Sequence, residues 1–256
     1  MEYLEKLFGL KGKIALVTGA SRGLGQGMSL ALAQAGAHVV LLARDKNGLQ
    51  NTEEKISEAC GSCEKISCDI TDKEAVKVVL QEIMKKHHKI DILVNNAGTI
   101  RRAPAVEYPD EYWYEVINTN LNAQFFLCRE VGQIMVARKA GKIINIASLL
   151  SFQGGITVPA YAAAKGGVAQ LTKALANEWA KYNVQVNAIA PGYFETDNTR
   201  PLIENETRNR EITARIPAGR WGQPDDLAGA VVCLASAASD YMNGHILVVD
   251  GGWLAR

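Results

Sequence analysis

Seven short apolar runs separated by helix-like stretches constrain this chain more than any other feature. The runs are Ile14–Thr18, His38–Leu42, Lys65–Cys68, Ile92–Asn95, Lys142–Ala147, Gln185–Ile189 and Ile246–Val249. Several are unbroken and rich in Val and Ile, as strands covered on both faces must be. Between them lie Leu24–Ala35, Asn51–Ala59, Lys73–His87, Asp110–Arg138, Ala160–Lys181 and Pro224–Ala235, which read as helices. Strand and helix in alternation predict an α/β fold: a doubly wound parallel sheet of about seven strands with right-handed crossovers. Ligands of such sheets bind at the carboxyl ends of the strands. The segment from Gly192 to Gln223 breaks the alternation. It is long, polar and irregular, and is expected to form a substrate loop or helical lid over that edge.

Composition narrows the partners. A chain of 256 residues suits one large α/β domain spanning 1–256, and 48% apolar content is ample for its core. A net charge of +1 argues against nucleic acid or an anionic membrane as the main partner. No stretch approaches the roughly 18 uncharged apolar residues of a membrane span. The opening "MEYLEKLFGLKGK" has no apolar signal region, so a cytoplasmic location is expected.

The sequence gives no metal site. Cys60 and Cys63 form a C-x-x-C, but no second pair or nearby histidine completes four ligands. Cys68, Cys128 and Cys233 are scattered, so reduced thiols on a helix end and on strands are expected. In "KKHHK", Lys85 to Lys89, adjacent histidines do not share a helix face. Cations closing a helix, where the dipole favours them, account for the run.

The first predicted strand runs into "LVTGASRGLGQG". Gly19, Gly23 and Gly25 follow the spacing G-x-x-x-G-x-G, with Ser21, Arg22 and Leu24 between them. Glycines here let the backbone turn tightly and approach a pyrophosphate at a helix N-terminus. The end of the second strand reads the ribose; a carboxylate there would bind the hydroxyls of NAD. Here the turn carries Ala43 and Arg44, with Arg22 nearby in the glycine loop. Two arginines suit a 2′-phosphate, so NADP(H) is favoured over NAD(H). Asp45, one residue further on, would favour NAD(H) if the turn were displaced by a residue.

"PAYAAAKGG" places Tyr161 and Lys165 four residues apart, on one helix face, among Ala and Gly. That spacing alone fits a buried tyrosine and an exposed lysine on any helix. It does not stand alone. "TGASRGLG" (Thr18–Gly25), "CDI" (Cys68–Ile70), "NNAG" (Asn95–Gly98), "NTN" (Asn118–Asn120), "IAS" ending at Ser148, "YAAAK" (Tyr161–Lys165) and "PG" (Pro191–Gly192) follow in order. Over nearly its whole length the chain resembles the short-chain dehydrogenase/reductase superfamily, with a Rossmann-like fold. "TIRR", "RIPAGRWG" and "ASDYMNGHILVVDGGWLAR" further resemble a branch acting on sugar acids, that of the 2-keto-3-deoxygluconate 5-dehydrogenases, with the gluconate 5-dehydrogenases close by.

The resemblance implies roles one residue at a time. Asp69 and Ile70 would flank the adenine; Asn95, Ala97 and Gly98 would pack beside the cofactor. Asn120 would complete a catalytic tetrad with Ser148, Tyr161 and Lys165, anchoring a water near the lysine. Pro191, Gly192 and Thr196 would hold the nicotinamide carboxamide. A homotetramer is implied too. Phe125, Phe126, Val131, Ala169, Leu171, Leu175 and Trp179 put apolar groups on more than one helix face, and Trp253 in the tail is expected to anchor an interface.

These residues predict an oxidoreductase interconverting an alcohol and a ketone on a sugar acid. A free tyrosine titrates near 10. A nearby Lys165 ammonium and an oxidised nicotinamide ring would both favour its phenolate, making Tyr161 the general acid/base. Ser148 would hydrogen-bond the reacting oxygen. Arg101 and Arg102, in the loop after the fourth strand, are candidates for the substrate carboxylate, and Gln153 for a hydroxyl. A serine hydrolase is disfavoured: there is no G-x-S-x-G around Ser148 and no histidine in a triad position. A zinc alcohol dehydrogenase lacks its ligands. Gluconate 5-dehydrogenase, 3-oxoacyl-carrier-protein reductase and a non-catalytic dinucleotide sensor are the alternatives.

Overall fold

The computed structural model describes residues 2–256. Strands β1 (Ile14–Thr18), β2 (His38–Ala43), β3 (Ser62–Ser67), β4 (Ile92–Asn95), β5 (Gly141–Ile146), β6 (Val184–Pro191) and β7 (Ile246–Val249) form one sheet in the order β3-β2-β1-β4-β5-β6-β7. Every pairing is parallel. The strand order reverses between β1 and β4, and a crevice opens there at the carboxyl ends.

The helices are α1 (Glu2–Phe8), α2 (Gly23–Gln34), α3 (Lys46–Glu58), α4 (Lys73–His87), α5 (Asp110–Ile117), α6 (Ala123–Arg138), α7 (Pro159–Trp179), α8 (Arg200–Ile203), α9 (Glu206–Arg215) and α10 (Ala228–Ala235). Alternate strand residues point to opposite faces. Val17, Val39 and Leu41 meet Met28 and Leu32 of α2 and Val231 of α10 on one side. Leu16, Val40 and Leu42 meet Val76 and Ile83 of α4 and Leu127 of α6 on the other. Each such side chain, taken fully from water, stabilises the fold by about 1.5–3 kcal/mol.

Local signals set the helix ends. Asp45 caps α3 by accepting from the amides of Asn47 (3.1 Å) and Gly48 (3.0 Å). The helix therefore starts before the expected Asn51. Asp72 caps α4 in the same way, accepting from Glu74 and Ala75. Strand β3 begins at Ser62 rather than the expected Lys65. It is an edge strand, largely exposed, and pairing with β2 rather than an apolar run defines it.

Two further departures matter. The single helix expected over Asp110–Arg138 is divided: a π-helical turn, Asn118–Asn122, separates α5 from α6. The segment after β6 is indeed helical, carrying α8 and α9, and is tied back by a bridge between Phe194 and Gly222. Ile212, Ile216, Trp221, Trp253 and Leu149 form its own small core. Trp253, expected at an interface, is instead buried in this core, 4% exposed. Its ring lies 4.6 Å from that of Tyr193, with the Arg215 guanidinium stacked 3.9 Å away. Val131, Ala169 and Leu175 are likewise buried within their own chain. Tyr114, Trp113 and Phe125 are the aromatic groups that α5 and α6 leave exposed. All five cysteines are free thiols, Cys60 following α3 and Cys63 on β3.

Candidate active site

A cleft of about 1000 Å³ lies along the carboxyl ends of β1, β2 and β4. The loop after β1 forms its floor. Gly19 adopts a left-handed φ of 65°, which a side chain would strain. Gly25 passes so close to the loop that a Cβ would lie 2.1 Å from the Gly19 carbonyl oxygen. The start of α2 follows at Gly23, and Arg22 at its N-cap makes no side-chain bond to the first-turn amides. Those donors face the cleft at the positive end of the helix, the arrangement that binds a pyrophosphate.

Two polar side chains, one buried and one half-buried, fix this floor. Thr18 Oγ1 accepts from the amides of Asn96 (3.0 Å) and Ala97 (3.1 Å), tying β1 to the end of β4. Asn96 Nδ2 donates back to the carbonyls of Thr18 (3.0 Å) and Gly19 (3.1 Å). Asn96 was not among the expected site residues; the second Asn of "NNAG" was its only trace.

The adenosine end is lined by Ala43, Arg44, Asp69 and Ile70. Asp69 accepts from the amide (2.9 Å) and hydroxyl (2.8 Å) of Thr71, and Arg44 stands 3.5 Å from its other oxygen. Burial alone would raise this carboxyl. The Thr71 bonds and the Arg44 charge outweigh it, holding Asp69 below the usual carboxylate range. Asp45 is occupied as the α3 cap, while Arg22 and Arg44 are both exposed at the rim. These two guanidiniums, Arg22 also standing 3.4 Å from Asp197, fit a 2′-phosphate.

Tyr161 and Lys165 enter from the first turns of α7 and line the cleft. The Lys165 ammonium is buried, donates to the Ile146 carbonyl at 2.5 Å, and lies 5.7 Å from the Tyr161 ring centre. Burial lowers its pKa to about 8. Tyr161 is half-buried, and desolvation raises its phenol. A hydrogen bond to Ser148 and the charge of Arg102 pull it back. Ser148 caps the turn after β5, and Ser151 of that turn donates to the Lys165 carbonyl at 2.7 Å. Asn120 sits in the π turn. Its Oδ1 accepts from the Thr99 amide and its Nδ2 donates to the Thr99 carbonyl, both at 2.8 Å.

Gly19, Ser21, Arg22, Gly23, Leu24, Gly25, Ala97, Gly98 and Thr196 line the cleft as expected. Three expected cofactor residues do not. Asn95 points into the core, donating to Asn145 Oδ1 at 3.0 Å beside Cys128, whose thiol burial pushes up to about 12. Strand alternation turns residue 95 inward and leaves Asn96 facing the cleft. Pro191 ends β6 beside Val249, and a Cβ on Gly192 would lie 2.6 Å from Asp250 Cα. These two pack against β7 and the residue that follows it. Gln153 is also committed elsewhere, accepting from Trp253 Nε1 at 3.3 Å.

The arginine pair divides. Arg101 lines the cleft, but Glu115 holds its guanidinium through two bonds, 2.7 and 2.8 Å. Arg102 is outside the cleft wall and exposed, yet close enough for its charge to act on Tyr161.

Residues 19–254 match the family model described as enoyl-(acyl carrier protein) reductase. A 2-dehydro-3-deoxy-D-gluconate 5-dehydrogenase of Pseudoalteromonas atlantica is 53% identical, over 99% of this chain and 100% of that protein. A solved Agrobacterium tumefaciens protein with bound NADP is 52% identical, with a TM-score of 0.92 over 97% of this chain and 99% of its own. A gluconate 5-dehydrogenase of Burkholderia cenocepacia, solved with NADP and tartrate, is 39% identical, with a TM-score of 0.94 over 99% of both chains.

Proposed function

The chain belongs to the short-chain dehydrogenase/reductase family, and on that footing we propose that it oxidises the 5-hydroxyl of 2-dehydro-3-deoxy-D-gluconate, or reduces the corresponding ketone, with NADP(H). The observation that carries this reading is the entry of Tyr161 and Lys165, from the first turns of α7, into a cleft floored by the glycine loop. Relatives and solved neighbours named for sugar acids or holding NADP support it.

A nicotinamide dinucleotide supplies the hydride acceptor or donor. The side chains do the rest. Tyr161 takes the proton of the hydroxyl being oxidised, or returns one to the carbonyl in reverse. Ser148 hydrogen-bonds the same oxygen. Lys165, held by Ile146, keeps a donor within one helical turn of the tyrosine. Asn120 fixes the Thr99 backbone, and so the path of the loop that carries both arginines. Arg102 has no carboxylate of its own among the described salt bridges, whereas Arg101 is occupied by Glu115. Arg102 is therefore the cation for the substrate carboxylate. Arg22 and Arg44 take the 2′-phosphate. The segment from Gly192 to Gln223 acts as the substrate lid.

The exposed aromatics of α5 and α6 are covered in a homotetramer, and the enzyme works in the cytoplasm. A monomeric mass in solution at micromolar concentration contradicts the first statement. Function is tested by assaying sugar acids and 3-ketoacyl thioesters with both cofactors. Turnover of 2-dehydro-3-deoxy-D-gluconate with NADP(H) is expected. Preference for the thioester would make the protein an acyl-carrier reductase, and no turnover at all would leave a dinucleotide sensor.

A further inference from the structure

Far from the cleft, at the amino-terminal ends of β2 and β3, three side chains converge that the reaction does not use. His38 opens β2 and pairs with Ser62 of β3. Alternation then puts residues 38, 62 and 64 on one face, the face covered by α4. Helix α4 ends on His87, and His88 turns the chain away with a left-handed φ of 61°. His87 Nε2 lies 2.6 Å from Glu64 Oε1, and His38 Nε2 lies 3.8 Å from the same oxygen. The two imidazole centres are 4.9 Å apart, and one donor atom from each of the three residues lies within 4.8 Å of the others. Adjacent His87 and His88 could not share a ligand; the fold pairs His87 with His38 instead.

We propose that His38, Glu64 and His87 form a structural site for a zinc-class divalent cation, its fourth position open to solvent. Two imidazole nitrogens and a carboxylate oxygen are a zinc donor set. Tetrahedral ligands at about 2.0–2.1 Å from a metal stand about 3.4 Å apart. His38 needs to approach by a few tenths of an ångström and His87 to withdraw by less than about 1 Å. Exposed carboxylates and histidines often cluster with no ion between them. Two details set this group apart. His38 Nε2 is buried and has no hydrogen-bond partner, an arrangement that costs free energy and that a cation relieves. His38 Nδ1 lies 2.7 Å from Ser62 Oγ. With Nδ1–H donating to the serine, the lone pair rests on Nε2, and the outer bond orients the ring as metal-bound imidazoles are oriented.

Lys86 pairs with Glu64 through Oε2, leaving Oε1 to the site. Its charge opposes a cation, so affinity falls below that of a closed four-ligand site. The cation would fasten the starts of β2 and β3 to the end of α4. It lies at the opposite end of the sheet from the cleft, so its effect is on stability and not on turnover.

The test uses the full, tag-free chain stripped of metal. Titration with Co²⁺ is expected to give one equivalent per chain with the visible bands of a four-coordinate ion, displaced by Zn²⁺. Saturating Zn²⁺ should raise Tm, as any ligand selective for the folded state does. His38→Gln and His87→Gln should each weaken binding at least ~10-fold, with turnover unchanged. His88→Gln and a Cys60→Ser/Cys63→Ser double variant should bind as the wild type does. Ser62→Ala, a milder change, should weaken binding less than either ligand variant. The proposal is overturned if wild type shows no saturable site, if binding survives both ligand variants, or if it depends on the cysteines.

Discussion

The two walls of the cleft are held in place by different means. The dinucleotide wall is an extension of the sheet: Thr18, Gly19, Asn96 and Ala97 lie at or just past strand ends, cross-linked by part-buried hydrogen bonds. The proposed substrate wall is made of what leaves the sheet. It comprises the loop of Thr99 to Arg102, the turn after β5, the helical segment after β6 and the tail. Contacts outside the sheet hold these pieces, among them Asn120 on Thr99, Ser151 on Lys165, Trp253 on Gln153 and the small core around Trp221. A cofactor common to many reactions can be met by a fixed wall. A substrate needs one whose parts change independently of the sheet and of one another.

If that division is real, each wall fails separately. Tyr161→Phe should lower turnover at least ~100-fold, the scale of general acid–base help, while NADPH titrates as before. Equal loss of binding and turnover would mean that the tyrosine belongs to the dinucleotide wall. Lys165, where the walls join, should show itself in stability. Its folded pKa, about 8, lies below the ordinary lysine value of 10.5. Between these values the unfolded chain holds more protons than the folded one, so this group alone makes stability rise with pH. Denaturant titrations at pH 8 and pH 10 should differ by about 2 kcal/mol more in wild type than in Lys165→Met. Identical pH slopes would show that the ammonium is not desolvated.

Arg44→Asp should shift the NADPH/NADH preference toward NADH by ~10-fold or more, the scale of a lost charge-assisted bond, with the sugar-acid KM unmoved. A wild type already preferring NADH contradicts the assignment of both rim arginines. The smallest effect belongs to the substrate wall. Arg102→Ala should raise KM for the sugar acid by ~10-fold while sparing a neutral ketone. Arg101→Ala should do less, because Glu115 already neutralises it. If both variants treat the two substrates alike, neither arginine reads a carboxylate.

The dinucleotide wall was legible in the sequence because its signals are local. "TGASRGLG" is one turn between one strand and one helix, and buried parallel strands announce themselves as Val/Ile runs. The reading failed where side-chain direction depends on register. Asn95 and Asn96 are neighbours with the same chemistry, and only the exact end of β4 decides which enters the core. The packing of Pro191 and Gly192 beside Val249 and Asp250 was not legible, because it depends on a strand more than fifty residues downstream. Choosing between Arg101 and Arg102 required Glu115, and dismissing Trp253 as an interface anchor required Tyr193 and Arg215. The His38–Glu64–His87 group was invisible for the same reason: three elements contribute one residue each, and none has metal spacing by itself.

The π turn at Asn118–Asn122 has a consequence for how this chain can change length. A residue advances an α-helix by about 100°. The widened turn holds one residue more than a regular turn would, and so absorbs that residue without rotating the helix after it. Deleting a single residue there would straighten the helix without breaking it. It would withdraw Asn120 from Thr99, while the regular turn left behind keeps Leu127, Cys128 and Val131 of α6 facing the sheet. Substitutions in this stretch change one side chain at a time, whereas losing the extra residue removes the Asn120 contact and leaves the core in register. Loops elsewhere on the surface can lengthen; here the residue count is itself part of the site.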